Sequence, residues 1–337
     1  MTVFCLVESD GAAGQESAAE ASLRALTLAR SLAASAAEPG APSGLAAVVF
    51  GDPPMADLAA YGVADVYVVA AVDGYAPQAW ARVLAELLGD PPERRDGGPR
   101  HAVVAAGTEH GNEVLAHLGA ITGLPMAANC TAATADGDGG YALVRQRWAG
   151  LLLEEAVLAA PVALLTVATD AVSPVPAPVP GAAAVRPVEP AVTDLDLAVR
   201  AVETSAGAGG ASLATARVVV GGGRGVGSAD GFGPLEELAE LLGGVVGVSR
   251  VVTSEGWRPH TQQVGQTGTK ITPDLYLACG ISGAIQHFAG CSGAKTIIAI
   301  NTDPAAPMMT RADYAVIGDL HAVVPALIEA VRARQAG

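Results

Sequence analysis

From Pro273 to Asn301 the chain reads PDLYLACGISGAIQHFAGCSGAKTIIAIN, a run that fits a strand, a tight glycine turn, a helix and a second strand. Leu275 to Ala278 are apolar and are bounded by a Pro-Asp start and by Gly280. Ser282 falls where a helix N-cap belongs, the helix runs to about Ala289, and Lys295 to Ile300 form the next apolar strand. A helix that opens on a glycine turn at the end of a buried strand aims free backbone N–H groups at whatever binds there, which suits a phosphate or pyrophosphate. Gln286 and His287 follow the turn, and a plain phosphate cradle needs neither. The spacing therefore predicts a ligand larger than phosphate.

The rest of the chain repeats the alternation. Strands are expected at Val3 to Val7, Ala46 to Phe50, Val66 to Val69 and Ala102 to Ala106. Helices are expected over Ser17 to Ala34, Met55 to Tyr61, around Gln78 to Leu88, and from about Gly111 to Gly119. Near-continuous apolar strands between helices imply an α/β fold, with a parallel sheet covered on both faces. Shorter, more β-like pieces follow from Cys130 to Val167. Ser173 to Pro190 is proline-rich and reads as extended chain, the clearest boundary. Ser205 to Ser212 is small and glycine-rich. These breaks divide the chain into an N-terminal α/β domain (1–190), a linker (191–215) and a C-terminal domain (216–337). Further strands are expected at Arg217 to Val220, Val245 to Val248 and Tyr314 to Ile317, with helices over Leu235 to Leu242 and Leu320 to Arg334.

Composition removes several functions. The 337 residues carry 19 Lys and Arg against 34 Asp and Glu, a net charge of −15. Nucleic acid and anionic membrane surfaces both call for a basic face. The longest apolar stretch, roughly Ala156 to Ala168, is too short to span a bilayer and contains Pro161. The first residues lack the basic and long apolar regions of a signal peptide. Cys5, Cys130, Cys279 and Cys291 share no CxxC spacing and read as buried thiols of a cytoplasmic protein. The histidines show no metal spacing; His110 and His117 read as a solvated helix face.

Several polar groups fall at expected strand ends, where ligands sit in open parallel sheets. Gly221 to Gly227 (GGGRGVG) follows a strand but fits neither G-x-G-x-x-G nor the Walker A pattern, so its reading is a close backbone approach with Arg224 free to pair. Ser249-Arg250 ends the next strand. Val264-Gly265-Gln266-Thr267-Gly268 sets two hydrogen-bonding side chains between glycines. Gly280-Ile281-Ser282-Gly283 fails as a nucleophile elbow, because Ala284 stands where that motif needs glycine. Asn301 suits an Asx turn and Asp319 a helix cap.

GISGAIQH at Gly280 to His287 and VGQTG at Val264 to Gly268 resemble the FAD-binding signature of the alpha subunits of electron-transfer flavoproteins. The resemblance continues through Asn301, Ala312-Asp313-Tyr314 and Gly318-Asp319-Leu320, dense in the C-terminal third and looser before it. It implies two domains, each with a mostly parallel sheet flanked by helices: a nucleotide-hydrolase-like Rossmann-type domain, then a FAD-binding Rossmann-like domain. It also implies FAD contacts from Arg224, Ser249, Arg250, Val264, Gly265, Gln266, Thr267, Ser282, Gly283, Ala284, Ile285, Gln286, His287, Asn301, Asp319 and Leu320. Among these, Arg250 lies over the flavin ring, Thr267 donates towards its N5 edge and Gln266 helps hold it. His287 meets the O2 carbonyl as a cation or donor, favouring negative charge on the reduced ring. Asn301 and Asp319-Leu320 take the adenosine part.

The implied function is an electron carrier without catalytic or metal-ligating residues. Its implied partners are a beta subunit carrying AMP or a second FAD, an electron-donating dehydrogenase, and an acceptor such as a quinone oxidoreductase. Two alternatives stay open: a freestanding nicotinamide- or flavin-dependent oxidoreductase on a related fold, and a flavin-less binding paralogue. Thr269, where the family has lysine, Ala168, where many members have arginine, and Thr302 and Met308-Met309 depart from the family pattern.

Overall fold

The computed structural model describes residues 1–10, 16–37, 44–72, 74–89, 101–136, 139–148, 150, 152–169, 171–201, 213 and 215–335. Two compact units emerge, Met1–Thr204 and Ser205–Gly337. The expected linker begins inside the first of them: Val192 and Leu197 pack against its core, and Asp196 accepts a 2.7 Å bond from the Thr193 hydroxyl. The glycine-rich stretch 205–212 lies outside the described residues.

The first unit runs β1 (Thr2–Val7), a short antiparallel hairpin of β2 (Ser9–Asp10) and β3 (Ser17–Ala18), α1 (Glu20–Ser35), β4 (Leu45–Phe50), α2 (Met55–Ala60), β5 (Asp65–Val69) and α3 (Pro77–Leu88). It continues through β6 (His101–Ala106), α4 (Glu109–Thr122), β7 (Met126–Ala135), β8 (Tyr141–Arg147), β9 (Leu152–Leu158), β10 (Val162–Val167) and β11 (Ala184–Val188). Nine strands form one sheet in the order β11-β5-β4-β1-β6-β10-β7-β8-β9. Pairing is parallel as far as β7, after which β8 and β9 add an antiparallel meander. Successive strand residues face opposite sides. Val3, Cys5 and Val7 meet Leu26, Leu32 and Leu58 of α1 and α2, whereas Phe4 and Leu6 meet Trp80, Leu84 and Leu115 of α3 and α4.

The proline-rich boundary is only partly a boundary. Within it, β11 pairs in parallel with β5 along Ala184 to Val188. Pro187 is tolerated because the strand is an edge, where a missing N–H leaves no neighbour unpaired.

The second unit runs β12 (Val218–Gly222), α5 (Gly233–Leu241), β13 (Val245–Val248), α6 (Arg250–Ser254), β14 (Leu275–Cys279), α7 (Ile285–Cys291), β15 (Ile297–Asn301), α8 (Pro307–Arg311), β16 (Tyr314–Ile317) and α9 (Leu320–Gln335). Its five strands are all parallel, in the order β13-β12-β14-β15-β16. Val220, Leu277, Cys279 and Ile300 pack on α5 and α9, while Val219, Tyr276, Ala278 and Ala299 face Met308, Met309 and Cys291. From β12 the chain first moves outward to β13, then returns to place β14 on the other side of β12. The strand order reverses between β12 and β14, and a doubly wound sheet opens its ligand crevice beyond the carboxyl ends of strands at such a reversal.

All four cysteines are buried free thiols, as their spacing implied. Among the described residues no helix is long and apolar enough to cross a membrane.

Candidate functional site

The loops leaving β12 and β14 meet backbone to backbone at the reversal. Gly223 N–H donates to Cys279 O at 2.9 Å, and Gly225 N–H donates to Gly280 O at 3.1 Å. A Cβ on Gly223 would lie 2.2 Å from Gly280 O, so no larger residue fits without separating the loops. Gly280 itself sits at φ +63° and is covered by Leu320. The glycines of GGGRGVG therefore serve a close approach, and they leave Arg224 exposed at the crevice edge.

The turn after β14 differs from the sequence expectation. Ser282 is not the N-cap: α7 starts at Ile285, its cap position is Ala284, and no side chain caps it. The cause is a non-local contact. Ser282 O accepts from Met308 N at 3.0 Å, and Gly283 turns at φ +79° directly against the Met308 backbone. That detour delays the helix. It also leaves the N–H groups of Ser282, Gly283, Ala284, Ile285 and Gln286 without a protein acceptor among the described residues. Ser282, Ala284, Ile285 and Gln286 are exposed, and Gly283 is buried.

The other expected groups gather on the same strand edge. Ser249 is half-buried and its N–H donates to Gly222 O at 3.0 Å, tying the end of β13 to β12. Arg250 follows, exposed, at the start of α6. Neither Arg224 nor Arg250 pairs with a carboxylate among the described residues. The VGQTG loop docks on α7: Gln266 N–H donates to Gln286 O at 2.7 Å, and a Cβ on Gly290 would lie 2.3 Å from Gly265 N. Val264 and Gly265 are buried, while Gln266 and Thr267 are exposed.

Asn301 forms the expected Asx turn, accepting from Asp303 N at 3.1 Å, and its Nδ2 donates to Ile281 O at 3.1 Å. One end of that amide thus holds the Gly280–Gly283 turn and the other holds the loop that follows β15. Asp319 caps α9, its Oδ1 accepting from His321 N at 2.9 Å, and Leu320 is buried beside Gly280 and Gly225.

His287 is buried, 7% exposed. Its Nε2 lies 2.8 Å from the Tyr276 hydroxyl, and its Nδ1 faces the Val264 backbone without a well-aligned hydrogen bond among the described residues. Burial pushes the ring down to about 4, with the Val264 backbone opposing weakly. Of the two expected forms, cation or donor, burial disfavours the cation, and the ring is a neutral imidazole near pH 7. Burial also holds the Tyr276 hydroxyl protonated. With that hydroxyl donating to Nε2, the ring proton sits on Nδ1, as a donor; with Nε2–H donating to the hydroxyl oxygen, Nδ1 is an acceptor.

Sequence reasoning missed Gln263, Tyr276 and Thr253. Gln263 is 2% exposed and bonds both the Thr253 and Thr267 side chains. No local pattern marks a glutamine for burial, and only its place next to VGQTG hinted at it. His110 is likewise not simply solvated: it stacks on Tyr75 at 3.8 Å and lies 3.4 Å from Glu8. Ala168 is buried after β10, bonded to Cys130 O.

Unbonded N–H groups, two unpaired guanidinium ions, an exposed threonine hydroxyl and a buried ring donor fit a diphosphate-bearing cofactor with a polar ring. The second unit is thus a dinucleotide-binding α/β domain that lacks the G-x-G-x-x-G turn. Residues 212–292 match the family model described as the electron transfer flavoprotein FAD-binding domain, and residues 12–195 match the electron transfer flavoprotein domain. The electron transfer flavoprotein subunit alpha of Mycobacterium leprae is 37% identical over 310 residues, 86% of this chain and 90% of the relative. That of Bacillus subtilis is 40% identical over 191 residues, 57% of this chain and 58% of its own length. That of Thermoanaerobacterium thermosaccharolyticum is 54% identical over 121 residues, and the match spans only 36% of this chain and 37% of that relative. The chain belongs to the family of electron transfer flavoprotein alpha subunits, and FAD is the cofactor of the domain that its second unit matches.

Proposed function

We propose that this chain is the FAD-holding half of a heterodimeric electron carrier. It receives electrons from a dehydrogenase and delivers them to a downstream acceptor, with a beta subunit as its partner. The observation that carries this reading is the run of unbonded N–H groups from Ser282 to Gln286 at the strand-order reversal, beside the exposed Arg224, Arg250 and Thr267. Bound FAD supplies the redox chemistry. The chain supplies binding and electrostatics. The N–H groups and Ser282 face the anionic diphosphate. Arg224, Ser249 and Gln266 add side-chain donors from three separate segments and Gln286 one from α7, and the Val264, Gly265, Gly283, Ala284 and Ile285 backbone lets the cofactor approach closely.

Arg250 favours negative charge on the ring through its guanidinium. His287 acts as a neutral Nδ1–H donor, which favours the same charge more weakly than an imidazolium would. Asn301, Asp319 and Leu320 hold the floor of the adenosine end. No residue needs to serve as acid, base or nucleophile. Buried reduced thiols support a cytoplasmic location.

The test is anaerobic reduction of the purified heterodimer followed by mixing with an artificial one-electron acceptor. Rapid reoxidation with no small molecule converted supports a carrier. Turnover of a small substrate with a bound nicotinamide would instead favour a freestanding oxidoreductase.

A further inference from the structure

Gln263 is a fully buried amide that reaches into the crevice only through another side chain. It follows a short 3-10 turn, His260–Gln262, and bridges to Val248 at the end of β13. Its own carbonyl accepts from Thr269 N at 2.7 Å, and a Cβ on Gly268 would lie 2.3 Å from that carbonyl oxygen, so the 264–269 loop wraps around it. The side chain has two different ends. Nε2 donates to Thr267 Oγ1 at 3.1 Å, and Oε1 accepts from Thr253 Oγ1 at 2.6 Å. The Thr253 hydroxyl shares its single hydrogen between Gln263 Oε1 and Arg250 O, the latter 2.9 Å away and one turn back on α6. A chain of polar contacts thus runs Arg250–Thr253–Gln263–Thr267.

The direction of these bonds fixes a proton. An amide nitrogen can only donate, so Thr267 Oγ1 must accept from Gln263, and its own hydrogen is left for another acceptor. Among the described residues no protein acceptor takes it. Thr267 is exposed, so that hydrogen is open to an acceptor from outside the protein. We propose that Gln263 is a positioning residue: its buried carboxamide orients the Thr267 hydroxyl as an outward donor and locks it to the helix that carries Arg250. This rests on the reading that the crevice holds FAD. Without the amide, the hydroxyl is free to rotate and to turn its lone pairs outward, which an acceptor atom on the ligand would repel.

The experiment is a double-mutant cycle on the chain paired with a beta-type subunit. FAD dissociation constants and flavin midpoint potentials are measured for the parent, Thr267→Val, Gln263→Met and both together. Unfolding of the flavin-free proteins is followed in parallel. Removing one net hydrogen bond weakens FAD binding by about 2–10-fold in Thr267→Val. Gln263→Met reproduces most of that loss and shifts the potential in the same direction, and the double variant is no worse than Thr267→Val alone. Additive losses, or a Gln263→Met variant with parent-like affinity and potential beside an impaired Thr267→Val, overturn the positioning role while leaving the FAD site standing. An unimpaired Thr267→Val overturns both the role and the placement of the ring at this loop. Where Gln263→Met does not fold, Thr253→Val cuts the same chain at its far end. It gives a smaller loss that disappears in the Thr267→Val background, and a loss that persists there contradicts the proposal.

Discussion

The Tyr276 hydroxyl lies 2.8 Å from His287 Nε2, and both residues are buried. Tyr276 comes from the middle of β14 and His287 from the first turn of α7, so this bond joins the strand to the helix across the turn that carries the unbonded N–H groups. It also decides what His287 can do. A ring that accepts a hydrogen bond at Nε2 and stays neutral carries its proton on Nδ1.

The first prediction concerns pH. The ring titrates at about 4 in the folded state and at 6.5 in the unfolded chain, so between those values the unfolded state binds more protons. Stability therefore falls as pH drops from 6.5 towards 4, by at most about 3 kcal/mol from this residue. His101 is shifted the same way and His110 the opposite way, so the parent curve is a sum. Denaturant unfolding of flavin-free parent and His287→Gln between pH 4 and 8 isolates the contribution. The difference between the curves narrows as pH falls, and parallel curves would contradict a buried neutral His287.

A second prediction follows for Tyr276→Phe. Loss of the hydroxyl frees Nε2 and lets the ring proton move between both nitrogens. The nitrogen chemical shifts of His287 should move from a single Nδ1–H tautomer towards a mixture. The variant should also be less stable by about 1 kcal/mol, the net worth of a buried hydrogen bond. Unchanged ring shifts would show that the hydroxyl does not set the tautomer.

Gly283→Ala should be severely disruptive. Gly283 adopts φ +79°, and an added Cβ would lie 2.5 Å from Met308 N. Left-handed strain alone costs about 1–3 kcal/mol, and the collision with backbone adds to it. Thermal unfolding of the flavin-free protein should show the loss, and FAD affinity should fall with it. An Ala variant as stable as the parent would mean that the turn does not adopt this path.

Arg250→Ala removes an exposed cation that pairs with no carboxylate among the described residues. Fold stability should change by less than about 0.5 kcal/mol, because no folded-state partner is lost. The flavin potential should drop, and Arg250→Lys should restore it only in part, because an ammonium lacks the planar fork. A potential that Arg250→Ala leaves unmoved would place the guanidinium away from the ring.

Much of this architecture was readable from residue order. The parallel strands announce themselves as unbroken apolar runs, and the glycine turns at Gly223 and Gly280 mark where backbones touch. What stayed hidden depends on contacts distant in sequence. The start of α7 moved because Met308, beyond the next strand, holds Ser282 O. The strand Ala184–Val188 was masked by the proline-rich run around it and by Pro187, whose missing donor costs nothing at a sheet edge. The burial of His287, and hence its charge, depends on packing that no local pattern encodes. Gln263 was passed over for the same reason: a glutamine in a polar loop reads as solvated until its two partners are placed.

The most direct measurement is the visible absorption spectrum of this chain purified together with a beta-type subunit. The account predicts flavin bands from stoichiometric FAD, retained through gel filtration and lost in Gly283→Ala. A colourless heterodimer that stays colourless after incubation with excess FAD, or one that carries a different cofactor, would contradict it.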